Sequence, residues 1–126
     1  MAVHSIADRR SEKQTTMKTI TPGHKYELEN FEQKDKPGQI VQFIEKQTSI
    51  KSAADGYMNA TLVTVNDGTT NEEVLRVLID RMNSMQAKFP CRENAIVTTH
   101  LETALLWLEK RTADRKARGV EGKHLK

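Results

Sequence analysis

Three arginines near the C-terminal end of the 126-residue chain, Arg111, Arg115 and Arg118, stand at i, i+4 and i+7. They share one face if a helix runs through them. Guanidinium forks meet phosphate oxygens in pairs, so three on one face suit a pyrophosphate. Ordinary surface pairing competes for the same groups, because Asp114 lies four after Lys110 and four before Arg118. Farther back, Phe89 precedes Pro90 at what reads as a helix junction. An aromatic ring held beside a helix N-terminus can stack on a purine while the free amides face an anion. The same Phe can equally plug the end of a helical hairpin. Arg92 and Asn94 then offer a phosphate contact and an amide for a base edge or ribose. Their plainer role is a solvated helix start, with Asn94 or Glu93 helping the cap. Thr99 and His100 interrupt an apolar run; the Thr99 hydroxyl either bonds back to a carbonyl one turn earlier or faces a pocket between protomers.

Catalytic chemistry finds no such support. Cys91 and His100 are nine positions apart, which on one helix is about 13 Å along the axis at a rise of about 1.5 Å per residue. No third group orients them as a nucleophile–base pair. Cys91 and the four histidines lack metal-ligand spacing, and neither a Gly-rich dinucleotide fingerprint nor a phosphate-binding P-loop occurs. The chain reads as non-enzymatic, with no metal and no cofactor.

The elements that must hold these residues are legible from punctuation and periodicity. Asp67-Gly68 ends an extended run, and Thr70-Asn71-Glu72-Glu73 forms a capping box, in which the Thr70 hydroxyl accepts from the Glu73 amide. Val74, Leu75, Leu78, Met82 and Met85 follow at helical spacing. Lys88-Phe89-Pro90 stops that helix, since the residue before proline is pushed out of the α region. A second helix opens at Cys91-Arg92-Glu93-Asn94, carries Ile96, Val97, Leu101 and positions 104–108 (Ala, Leu, Leu, Trp, Leu), and stops at Gly119. Upstream, 24–32, 39–46 and 58–66 alternate as strands, with a turn at 34–38 and a loop at 48–56. Residues 1–23 are polar and aperiodic and read as disordered. The expectation is an α+β chain: a short antiparallel β-meander over 24–66, then a long antiparallel αα-hairpin with a basic tail over 67–126, the two forming one domain over 24–126.

Four segments carry a resemblance. Asp-Gly-Thr-Thr-Asn-Glu-Glu-Val-Leu (67–75), Lys-Phe-Pro-Cys-Arg-Glu-Asn (88–94), Thr-His-Leu-Glu-Thr-Ala-Leu-Leu-Trp-Leu (99–108) and Lys-Arg-Thr-Ala-Asp-Arg-Lys-Ala-Arg-Gly-Val-Glu-Gly (110–122) resemble the phage anti-Thoeris sponge family. That family shares its helical hairpin with the anti-CBASS cyclic-nucleotide sponges. The resemblance is strong over the hairpin and weaker over 24–66. It implies binding of a cyclic ADP-ribose-type signal (glycocyclic ADP-ribose), held intact so that the Thoeris effector is not switched on. It also implies pockets at protomer interfaces, a homo-oligomer such as a hexamer, separate sites for cyclic di- or trinucleotides, and action in the cytoplasm of the infected bacterial host. On this resemblance Phe89, Arg92, Asn94, Thr99, Arg111, Arg115 and Arg118 are the ligand-binding candidates.

Composition bounds these readings. Hydrophobic content of 37% is low for 126 residues, so a monomer has a thin core. Positions 104–108 are apolar all round, whereas a helix packed only on its hairpin partner needs a stripe little wider than 100°. The sheet is expected to cover one side and another protomer the rest. No apolar run spans a membrane, no secretory signal is visible, and the single cysteine fits a reducing cytosol. Residues 109–126 hold seven Lys/Arg against three acids, while 21–108 hold nine against twelve. A basic end on an acidic body points to an anionic partner or to a solvated tail. The alternative of a small basic-tailed nucleic-acid-binding phage protein predicts steep salt dependence, but no basic stripe crosses 21–108. A third reading is a structural partner whose hairpin binds another helix.

Overall fold

In the computed structural model, residues 16–50 and 60–119 are described. Among these residues five strands precede two helices: β1 (Met17–Thr21), β2 (Lys25–Leu28), β3 (Gln39–Gln42), β4 (Glu45–Ile50), β5 (Ala60–Asn66), α1 (Asn71–Lys88) and α2 (Arg92–Ala117). The first three form an antiparallel meander in chain order, and β4 and β5 form a separate antiparallel pair. The α+β expectation holds, with more strands than the sequence suggested.

Three expectations for the strand region need correction. Residues 17–23 are not disordered: β1 pairs Met17 with Leu28 and Thr19 with Tyr26, after a turn at 21–24 closed by a 3.0 Å bond from the His24 N–H to the Thr21 carbonyl. Pro22 then Gly23 at φ +79° is the pairing a type II turn requires. Residues 1–15 lie outside the described residues. The strand expected over 39–46 is broken in two. Phe43 leaves the sheet to bridge Thr69, with the Thr69 N–H donating to the Gln42 carbonyl and the Ile44 N–H to the Thr69 carbonyl, both at 2.8 Å. Backbone pairing across 26 positions overrides the local alternation there. Finally, 48–50 belong to β4 rather than to a loop, while 51–59 lie outside the described residues.

The Thr69 bridge is also what ties the strands to the hairpin. Gly68, one residue earlier, passes so close to the Gln42 and Phe43 backbone that a Cβ there would collide with it. Thr70 then caps α1, its hydroxyl accepting from the Glu73 amide at 3.2 Å as expected.

α1 and α2 pack antiparallel, and the half-buried positions show the seam: Leu75, Ile79, Met82 and Gln86 on one arm, Asn94, Thr98, Leu101, Leu105, Leu108 and Thr112 on the other. Alternating steps of three and four are the spacing of an antiparallel helix pair. Ile79 therefore takes the place expected for Leu78, and Met85 turns outward. The packing runs helix on helix and strand on strand; among the described residues no strand lies along a helix. The expected cover of α2 by the sheet is thus absent. The consequence is that no described side chain is fully buried, and Val77, Leu78, Met85, Ile96, Val97, Leu106 and Trp107 all stay exposed.

Candidate functional site

The turn at the hairpin tip is fixed by one side chain. Gln86, on the last turn of α1, accepts from the Cys91 N–H through Oε1 and donates to the Cys91 carbonyl through Nε2, each at 3.0 Å. Phe89 caps α1, its N–H donating to the Met85 carbonyl at 2.8 Å. Its φ of −135° and ψ of 77° lie outside the α region, which a following proline disfavours. Cys91 caps α2, its thiol accepting from the Asn94 amide at 3.4 Å. The cap expected from Asn94 or Glu93 is therefore supplied by Cys91, while Asn94 tucks half-buried into the seam and its carbonyl accepts from the Thr98 hydroxyl at 2.9 Å.

Phe89 does not plug the hairpin. It is 78% exposed, so its ring is open to a stacking partner, with Arg92 exposed three residues on. Thr99 is exposed and its hydroxyl donates back to the Ala95 carbonyl at 3.1 Å, the ordinary helical use of threonine.

The other end of α2 is built differently. This helix has 26 residues against 18 in α1, so its C-terminal turns outrun the shorter arm. Trp107, Lys110, Arg111, Asp114, Arg115 and Arg118 line an open groove of about 480 Å³ there. The three arginines do share a face. Asp114 is engaged by Lys110 at 2.9 Å, so the surface pairing foreseen at that spacing accounts for the lysine. Four cations against one carboxylate leave the groove strongly positive, the setting in which a dianion is favoured. The helix ends as expected: Gly119 adopts φ +71°, a left-handed value costly for a residue with a Cβ, and its N–H donates to the Lys116 carbonyl at 3.0 Å.

The sequence candidates therefore fall into two groups. Phe89, Arg92 and Asn94 sit at the tip and Arg111, Arg115 and Arg118 at the far end, with Thr99 between them. From Arg92 to Arg111 is 19 positions of one continuous helix, about 28 Å at a rise of about 1.5 Å per residue. One small ligand does not reach both ends of a single protomer. Sequence reasoning missed Gln86 and Trp107. A glutamine five residues before a helix cap gave little signal, and Trp107 was taken into the apolar belt.

In class, this is an α+β protein whose distinctive part is an antiparallel helical hairpin with a cationic groove on its longer arm. Residues 47–113, which are 67 of the 126, match the model of the Acb2/Tad1 hairpin-domain family, and the chain belongs to that family. The matched stretch runs from β4 through Arg111 and ends before Arg115. A protein called Thoeris anti-defense 1, from Bacillus phage SBSphiJ7, is 51% identical over 61 residues, 48% of this chain and 43% of that relative. The match thus spans less than half of the relative's length. Among the described residues no helix is long and apolar enough to cross a membrane.

Proposed function

We propose that the chain is a phage counter-defence sponge that binds a cyclic ADP-ribose-type signal and holds it intact, so that the Thoeris effector is not activated in the infected cell. The observation that carries this reading is the groove that gathers Arg111, Arg115 and Arg118 beside an aromatic side chain. A set of guanidinium groups on one helix face can fork the pyrophosphate of such a signal. The name of the phage relative, Thoeris anti-defense 1, supports the setting. The role is binding: the only cysteine caps a helix, and the groove residues are suited to holding charge rather than to transferring protons.

Phe89, Arg92 and Asn94 at the tip give the chain a separate station, with Thr99 between the two ends. The separation of about 28 Å along α2 favours two ligands per chain, and cyclic di- or trinucleotides are the candidates for the second. Self-association completes the proposal. A chain with no fully buried side chain among its described residues, and with Val77, Leu78, Met85, Ile96, Val97 and Leu106 exposed on its helices, gains most by covering them with copies of itself, as a hexamer would.

Isothermal titration against cyclic ADP-ribose isomers, cyclic di- and trinucleotides and single-stranded DNA tests the reading. Saturable heat with a cyclic ADP-ribose isomer is the expected result. Heat with DNA alone, falling steeply with salt, would assign the basic end to nucleic acid instead.

A further inference from the structure

Leu106 and Trp107 are neighbours of similar exposure, 65% and 63%, and in the sequence they look like parts of one apolar belt. The fold sends them to different places. Leu106 lines a hollow on the flank of the hairpin with Ile79, Leu105 and the carboxylates of Asp80, Glu102 and Glu109, which outnumber its one cation, Arg76. Trp107 lines the groove with Arg111, Arg115 and Arg118. The first surface is apolar and acidic; the second is aromatic and basic.

We propose that Trp107 is the base-stacking platform of the arginine groove. A nucleotide lies there with its base on the indole and its phosphates on the guanidinium groups farther along α2. Positions 107, 111 and 115 rise about 6 Å and then about 12 Å along the helix, bracketing the reach from a base across one ribose to its phosphates. A flat, rigid indole gives a large stacking area at little cost in side-chain freedom. The four cations beside it disfavour a like copy, which would bring its own positive charges, and favour an anion. This assignment rests on the nucleotide-sponge reading and extends it by naming the residue that recognises the base rather than the phosphate.

Trp107 is the only tryptophan in the chain, so its emission reports the site directly. Cyclic ADP-ribose, cyclic di-AMP, cyclic tri-AMP and a thymidine decamer would be titrated into wild type, Trp107→Phe and Trp107→Leu. Calorimetry, fluorescence excited at 295 nm and light scattering would be read together. The expected result is saturable quenching of the wild type by at least one cyclic nucleotide. Trp107→Leu should weaken that binding about five- to hundredfold, the usual size of base–aromatic stacking. Trp107→Phe should retain most of the affinity, with the assembly size unchanged in both variants. Wild-type binding that Trp107→Leu leaves within twofold overturns the stacking role while the sponge reading stands. Dissociation of the assembly by Trp107→Leu makes Trp107 an interface residue and also overturns it. Tightest binding by the decamer assigns the groove to nucleic acid, and no heat with any probe overturns both readings.

Discussion

The tip and the far end of the hairpin achieve order by opposite means. At the tip, a side chain braces the backbone: Gln86 grips both the N–H and the carbonyl of Cys91, Pro90 fixes the turn, and Phe89 and Cys91 cap the two helices. The far end has no second arm to brace it. Its groove is made of long side chains along a helix that outruns its partner. A tip of this kind holds its shape whether or not anything is bound. The far end offers high charge density and gains definition when an anion meets it. The contrast teaches that one helix can have a braced end and an adaptable one, and it sets what each substitution should change.

The largest effect is expected at the far end. Arg115→Ala removes a guanidinium from the middle of the arginine face and should raise the dissociation constant for the nucleotide about ten- to hundredfold, since a charge-assisted bond is worth roughly 1.5–3 kcal/mol. Light scattering should show the assembly unchanged. Lys123→Ala, farther along the chain, is the matched control and should stay within twofold of wild type. At the tip, Gln86→Ala should act on stability instead. Two hydrogen bonds to the Cys91 peptide are lost, and chemical denaturation should show a loss of about 1–2 kcal/mol, with affinity in the arginine groove unaltered.

Thr70→Ala, at the start of α1, removes the cap on Glu73 and should cost about 1 kcal/mol in the same measurement. The smallest effect should come from Lys110→Ala. Its pair with Asp114 is more than half exposed, and such pairs are worth under about 1 kcal/mol. Denaturation midpoints should hardly move, and any change should appear in nucleotide affinity as the freed Asp114 carboxylate weakens the groove.

What the sequence made legible follows the range of each interaction. The Thr70 cap, the Phe89-Pro90 stop, the Gly119 stop and the shared face of Arg111, Arg115 and Arg118 depend on residues within a few positions, and each stands in the structure as its spacing implied. The break at Phe43 was hidden because its cause, Thr69, is remote in sequence. Leu78 and Ile79 both satisfy helical spacing, and only the register against α2 chooses Ile79 for the seam. Apolar content alone could not say that Leu106 and Trp107 serve different surfaces, since side on a helix is decided by what the rest of the chain leaves uncovered. In residues 17–21 the polar Lys18, Thr19 and Thr21 outnumber Met17 and Ile20 and mark no strand, yet pairing with β2 supplies order that their own composition does not.

The most direct test is to ask what becomes of a bound signal. A cyclic ADP-ribose isomer would be incubated with the protein, the complex separated from free ligand, the protein denatured by heat, and the released nucleotide run on chromatography. A sponge retains the ligand through the separation and returns it with unchanged mobility and in stoichiometric amount. Failure to retain it, or its return as a linear hydrolysis product, would contradict the account.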